Sequence, residues 1–269
     1  MRIEPGAISW RLEVHESLPS TSDLVAKLAT DGDPEGLAAL AREQTAGRGS
    51  RGRAWQSPVG NLHLSVLLRP SGPIADAGHW ALLAGIALVE ALSAFVPDHA
   101  STTLTLKWPN DVLLRGCKLA GILMDSATRP GGRLDWLVVG LGANLATAPS
   151  VPGRTTASLD ELTTPPPPER VAEALLARLD YWVGVARRDG FGPVDSAWIA
   201  RAHAVGSALR VTREGKAIDG SFAGLGEDGS LLLATAGKIQ AFSTGEVLLG
   251  SMDQQSRNAS IEVLRGVEH

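Results

Sequence analysis

The sequence predicts an α+β chain: a mixed sheet-and-helix body followed by a small β-barrel. Three observations carry this. Strand-like runs recur from residue 10 to about 145, separated by helix-like segments. Two stretches, 76–95 and 169–188, have long helical patterns. After about residue 205 the chain turns to short β runs with turn signals every 8–12 residues, at Glu214-Gly215, Asp228-Gly229 and Ala236-Gly237. That spacing suits a barrel of about five strands. The 269 residues leave room for one large and one small domain. A hydrophobic content of 44% against 20% charged residues is that of a packed chain.

Taken in order, residues 10–19 read as a strand ended by Pro19. A helix follows, capped by Ser22 or Asp23, with Leu24, Val25 and Leu28 on one face. Residues 31–36 form a turn, and Leu37–Ala41 a small apolar strand. Residues 62–69 alternate: Leu62, Leu64, Val66 and Leu68 point one way, His63 and Ser65 the other, as in a strand with one buried face. The helix at 76–95 has Asp76 as its cap and Pro97 as its stop. Residues 103–114 read as strand, break at Pro109, strand. Further strands are expected at 121–125 and 136–145. Four prolines, Pro165 to Pro168, lead into the helix of 169–188, whose stripe is Val171, Leu175, Leu179 and Trp182. The boundaries expected are 1–205 for the body, 206–251 for the barrel and 252–269 for a polar, loosely ordered tail.

Lys and Arg number 25 against 29 Asp and Glu, a net charge of −4, which argues against a general nucleic-acid binder. No apolar run reaches the roughly 18 residues a bilayer span needs, and the N-terminus lacks the apolar centre of a signal peptide. The single cysteine, Cys117, excludes an internal disulfide and a thiolate zinc cluster. A soluble, reduced, cytoplasmic protein is expected, with neither membrane nor DNA as partner. The six histidines show no metal-ligand spacing.

Four stretches carry chemistry. Residues 42–53 hold Arg42, Arg48, Arg51 and Arg53 against Glu43, a local charge of +3 in an acidic chain. Interleaved Gly47, Gly49 and Gly52 expose backbone amides, so the loop suits anions, although it has neither the P-loop order nor a clean dinucleotide fingerprint. A solvated basic loop or an RNA contact fits the same composition. Lys107-Trp108-Pro109-Asn110-Asp111 and Lys118 lie seven to eleven residues apart. If the two strands pair as a hairpin, both ammonium groups reach one site; the alternative is a tight turn with solvated lysines. Ser20-Thr21-Ser22 suits helix capping or a small polar ligand. Gly140 and Gly142 end an apolar strand and admit close approach by a flat group, or form a bulge.

In this order the stretches resemble one family, the biotin–protein ligases. The matching strings are Ser20 to Ser22, Gln44 to Trp55, Lys107 to Asp111, Lys118 to Leu123 and Gly140 to Asn144. The resemblance covers roughly residues 10–250. It implies a catalytic domain like that of the class II aminoacyl-tRNA synthetases, with a mainly antiparallel sheet, and an SH3-like C-terminal barrel. The family's optional DNA-binding module precedes the catalytic domain. Only about 19 residues precede Ser20, so the form without a repressor role is expected.

The resemblance implies that biotin and Mg·ATP form biotinyl-5′-AMP, which a lysine of a biotin carboxyl carrier domain of an acyl-CoA carboxylase then attacks. It gives catalytic roles to Lys118, Arg48, Lys107 and Asp111. Biotin contacts fall to Ser20, Thr21, Ser22, Gln44, Gly47, Arg48 and Trp55, and to Lys118, Gly121, Gly140 and Gly142. ATP contacts fall to Arg48, Gly49, Ser50, Arg51, Arg53 and Lys107, and to Asn110, Lys118 and Asn144. Mg²⁺ is expected with ATP, with no protein motif for it. Two departures stand out: Ser22 replaces the family's asparagine, and Ser50 stands where a basic residue is frequent. A lipoate–protein ligase, which shares this architecture, is the alternative.

Overall fold

The computed structural model describes residues 8–249. The tail expected beyond 251 lies outside the described residues. The first sheet has seven strands: β1 (Arg11–Leu18), β2 (Leu37–Gln44), β3 (Leu62–Leu68), β4 (Leu104–Lys107), β5 (Asp111–Leu114), β6 (Cys117–Arg129) and β7 (Arg133–Ala143). They are ordered β1-β2-β3-β7-β6-β5-β4. Only the β1–β2 pair is parallel, joined through helix α1 (Thr21–Thr30); the other pairs run antiparallel. The second sheet is antiparallel. It comprises β8 (Ala208–Arg213), β9 (Lys216–Leu225), β10 (Leu231–Thr235), β11 (Lys238–Phe242) and β12 (Glu246–Leu249), in the order β11-β10-β9-β8-β12. The turns expected at Glu214-Gly215, Asp228-Gly229 and Ala236-Gly237 all join consecutive strands of this sheet.

The two faces of the large sheet are covered differently. On one, Leu62, Leu64 and Val66 pack under α2 (Ala77–Ser93) and α4 (Pro168–Asp189) in the main core. On the other, Val25 and Ala29 of α1 meet Leu37, Ala39, Leu67 and Val138. Both faces of β3 are therefore buried, whereas the alternation in sequence predicted one. His63 and Ser65 do point away from the leucines, but that side is interior as well, and both are buried. Short α3 (Asp98–Ser101) precedes β4, and α5 (Gly192–Arg201) packs on α2 and α4. Gly190, Gly192 and Pro193 at the start of α5 give it no local helix signal. Its two buried side chains, Val194 and Trp198, nevertheless lie one helical turn apart.

α2 is apolar nearly all round, as befits a helix buried among sheet and helices. By length and average composition Ile74–Ser93 would pass for a bilayer span, although Asp76, His79 and Glu90 interrupt its apolar run. Two-thirds of that stretch is buried inside the protein, which marks a core helix. Asp76 takes the N-cap position of α2 without a side-chain hydrogen bond, and the helix ends at Ser93. The cap of α1 is also corrected. Ser20 takes that place, its Oγ accepting from the Asp23 amide at 3.3 Å, and Ser22 is already inside the first turn.

Candidate active site

The α1 helix covers only part of its face of the sheet. Beyond its N-terminus the strand register sets His63 opposite Gly142, Ser65 opposite Gly140, and Gly121 opposite Gly142. Two glycines in adjacent strands leave a hollow in the sheet, roofed by the arginine–glycine loop.

The polar end of this hollow is a closed set of hydrogen bonds. Thr21 donates to Gln44 Oε1 from its amide at 2.8 Å and from its hydroxyl at 3.1 Å. The Thr21 and Ser22 hydroxyls both meet Ser65 Oγ, at 2.7 and 3.0 Å. Gln44 Nε2 donates to Ser57 Oγ, which in turn donates to the Trp55 carbonyl. Ser22 lies so close to Gly140 that a Cβ there would fall 2.6 Å from its hydroxyl. Residues at the α1 start, the end of β2 and mid-β3 are thus one network, of which sequence reading identified all but Ser57 and Ser65.

The flat group for which Gly142 makes room is the chain's own Trp55. A Cβ on Gly142 would come within 2.5–2.8 Å of three indole atoms, and one on Gly121 within 3.4 Å. Gly47 helps set this position, its carbonyl accepting from the Trp55 amide at 2.9 Å. The indole Nε1 is buried without a hydrogen-bond partner. Between Gly47 and Trp55 the loop folds back, the Gly49 amide donating to the Arg53 carbonyl at 2.7 Å. Arg51 adopts a left-handed backbone (φ 60°), a conformation uncommon outside glycine.

Arg48 spans the mouth of the hollow. Its Nη1 lies 2.5 Å from Asp23 on α1 and 3.0 Å from Asp125 on β6, and Nη2 donates to Asp125 Oδ1 at 3.2 Å. Burial works against the Arg48 charge, but the two carboxylates outweigh it and hold its pKa above the ordinary value. The sequence offers Asp23 only as a helix cap and gives Asp125 no role.

The β4–β5 hairpin does what the Lys107–Lys118 spacing allowed. Lys107 pairs opposite Asp111, and its Nζ lies 3.2 Å from Asp111 Oδ2. Lys118, across the β5–β6 pair, donates to Asp111 Oδ1. The reading of these lysines as solvated is excluded. Burial alone would raise the Asp111 carboxyl, but the two ammonium groups outweigh it and hold it below the ordinary carboxylate range. For Lys118 burial is the largest influence and lowers its pKa; Asp111 only partly compensates, while Arg154 and Lys107 push the same way as burial. The ammonium also sits 5.7 Å from the Trp55 ring centroid, a cation–π distance.

Ser50 and Asn110 border both the hollow and a second pocket beside it, which holds Arg51, Arg53, Lys107 and Asp111. Asn110 Nδ2 donates to the Ile122 carbonyl at 2.6 Å. Asn144 borders a third pocket, with Gly49, Arg53, Trp55 and Lys118, but its own amide is turned inward to the Ala157 carbonyl at 3.0 Å. Apart from Gly47, the residues expected at the site line three adjoining pockets. Two that sequence reading passed over join them: His63, buried on the floor with its Nε2 donating to the Pro58 carbonyl, and Arg154. Burial lowers the His63 pKa and favours the neutral ring. Among the described residues no three His, Cys, Asp or Glu side chains group to hold a metal ion.

A hollow for an apolar group with a polar end, opening onto clustered cations, belongs to an enzyme that joins a small carboxylic acid to a nucleotide. Comparison with known proteins agrees. Residues 14–144 match the biotin/lipoate A/B protein ligase family, and residues 205–250 match the biotin protein ligase C-terminal domain. The biotin–[acetyl-CoA-carboxylase] ligase of Paracoccus denitrificans is 38% identical over 78% of this chain and 89% of its own. That of Mycobacterium tuberculosis is 34% identical over 89% of each. The solved biotin protein ligase of Aquifex aeolicus, in complex with biotin and ATP, superposes with a TM-score of 0.73 at 26% identity, covering 89% of this chain and 98% of that one. The chain belongs to the biotin protein ligase family.

Proposed function

We propose that this chain attaches biotin to a specific lysine of a biotin carboxyl carrier domain, in two steps driven by ATP. In the first, a biotin carboxylate oxygen attacks the α-phosphorus of ATP, the bond to the bridging oxygen breaks, and pyrophosphate leaves. In the second, the uncharged lysine amine attacks the acyl carbon of biotinyl-5′-AMP, AMP departs and the amine loses its proton. The observation that carries this reading is the Lys107–Asp111–Lys118 cluster at the junction of the apolar hollow and the arginine pocket. Two anions must meet there, and fixed cations stabilise the charge that builds as they do.

In this reading Ser20, Thr21 and Gln44 address the ureido end of biotin, and its ring system lies against Gly121, Gly140 and Gly142. Admitting it requires the Trp55 indole to move from Gly142, where it can become the lid that keeps water from the mixed anhydride. Lys118 meets the carboxylate and α-phosphate; Arg48, Arg51, Arg53 and Lys107 serve the nucleotide. Asp111, which holds both lysines, orients the incoming amine in this reading. Mg²⁺, where bound with the nucleotide, would neutralise part of the phosphate charge that Arg48, Arg51, Arg53 and Lys107 also face. The division of labour between residues 1–205 and 206–251, and a cytoplasmic setting beside acyl-CoA carboxylases, belong to the same proposal.

The test is ATP-dependent labelling of a carrier domain offered biotin or lipoate. Biotin labelling, with biotin-dependent ATP–pyrophosphate exchange, is expected. Labelling by lipoate alone would overturn the reading in favour of a lipoate ligase, and neither labelling nor exchange would overturn both. The names of the relatives, biotin–[acetyl-CoA-carboxylase] ligases, favour biotin.

A further inference from the structure

Three guanidinium groups from two separate loops converge on one carboxylate of the C-terminal sheet. Glu246, the first residue of β12, lies 2.6 Å from Arg154 Nη2, 3.5 Å from Arg51 Nη1 and 3.9 Å from Arg53 Nη1. Arg51 and Arg53 come from the arginine–glycine loop. Arg154 comes from the connection between β7 and α4, and its backbone is fixed. The neighbouring Thr155 carbonyl accepts from the Lys118 amide at 2.9 Å, and the Ala157 amide donates to the Lys118 carbonyl at 2.9 Å. Lys118 and Thr156 thus pair as a parallel bridge. Arg154 is carried beside Lys118, and its charge reaches that ammonium. It borders both the arginine pocket and the pocket of Asn144 and Trp55.

We infer that Arg154 is a further nucleotide-binding residue, directed at the β- and γ-phosphates that leave as pyrophosphate, and that Glu246 is the positioning residue that orients it. The inference rests on the proposed use of ATP by this site. A guanidinium suits the role because its planar donor fork fits phosphate oxygens and keeps its charge at any working pH. Glu246 confines a long side chain before ligand arrives, so less freedom is lost on binding. As phosphate reaches the pocket, the half-buried Arg154 guanidinium can serve it and Glu246 together, since its fork carries five donors and the Glu246 bond uses one edge.

The experiment is a calorimetric titration of ATP, with biotin titrated separately, alongside biotin-dependent ATP–pyrophosphate exchange. Arg154→Ala is expected to weaken ATP binding about tenfold, the scale of one charge-assisted hydrogen bond, and to raise KM for ATP in exchange with kcat and biotin affinity within about twofold. Arg154→Lys, keeping the charge without the fork, falls between. Glu246→Gln weakens ATP binding about threefold, and the double variant Glu246→Gln/Arg154→Ala loses less than the product of the two single effects, because the shortest contact of Glu246 is to Arg154 and most of its effect runs through that residue. ATP affinity within twofold of wild type in Arg154→Ala overturns the inference. Effects that simply multiply in the double variant overturn the role of Glu246. Wild-type protein that binds ATP without any biotin-dependent exchange overturns the proposed reaction and leaves the binding comparison to decide on Arg154.

Discussion

The Lys118 ammonium is stripped of water by burial and given one strong partner, Asp111. Its pKa is lowered, so it loses its proton on the alkaline side sooner than a free lysine, whose value is near 10.5. If the charged form does the work, adenylation falls at alkaline pH with a midpoint below that value. Lys118→Arg, which cannot deprotonate there, removes the alkaline limb while keeping part of the rate. Lys118→Ala is expected to lose adenylation by a factor of about 100 or more, the scale of one electrostatic contact to a transition state. Pyrophosphate exchange across a pH series checks both, and a wild-type rate in Lys118→Ala would remove this residue from the mechanism.

Asp111 has the opposite stability sign. A carboxyl held below its unfolded value favours the folded state above about pH 4, and the contribution is lost as pH falls through the lower folded value. Ser50, on the rim of all the adjoining pockets, offers a hydroxyl to Arg53 at 3.2 Å and brings no charge of its own to a phosphate. Weaker retention of biotinyl-AMP is expected, and Ser50→Arg should slow its release. Equal release rates would sink that idea.

At the scale of elements, the site exists because of strand register. Gly142 meets His63 on one side and Gly121 on the other, so the hollow is assembled from three strands. Gly142→Ala places a methyl against the Trp55 indole and is expected to destabilise the fold by about 1–3 kcal/mol, the usual cost of overpacking, or to displace the ring. Urea unfolding and near-ultraviolet circular dichroism distinguish the two; an unchanged midpoint with an unchanged spectrum contradicts the contact. The Ser20, Thr21 and Ser22 segment shows how far local pattern reaches. A helix start was legible from the hydroxyls. The bond of Ser22 to Ser65, 43 residues on, was not, because nothing local reports which strand α1 will cover.

At the scale of the whole molecule, the two sheets share one core. Phe222 of β9 packs edge-on to Trp198 of α5, and the Trp108 indole donates to the Gly229 carbonyl between β9 and β10. Apolar residues of β8, β9 and β10 join the same buried cluster as α2 and α4. The protein is therefore expected to unfold in one transition, with the signals from tryptophan and from secondary structure coinciding. Phe222→Ala should lower that single transition by about 3–5 kcal/mol. Two separated melts would show that the sheets are independent.

By itself the sequence determined the kind of fold, most of its elements and the loops that carry charge, because periodicity, turn residues and glycine spacing are properties of neighbouring residues. It also determined the family, through the order of five short strings. The tertiary structure alone decided that both faces of β3 are interior, that Asp23 and Asp125 hold Arg48, that Trp55 fills the space over Gly142, and that Arg154 meets Glu246 across 92 residues. Those contacts follow from which strands lie side by side and from what burial does to the charges between them. Both are settled only when distant segments of the chain come together.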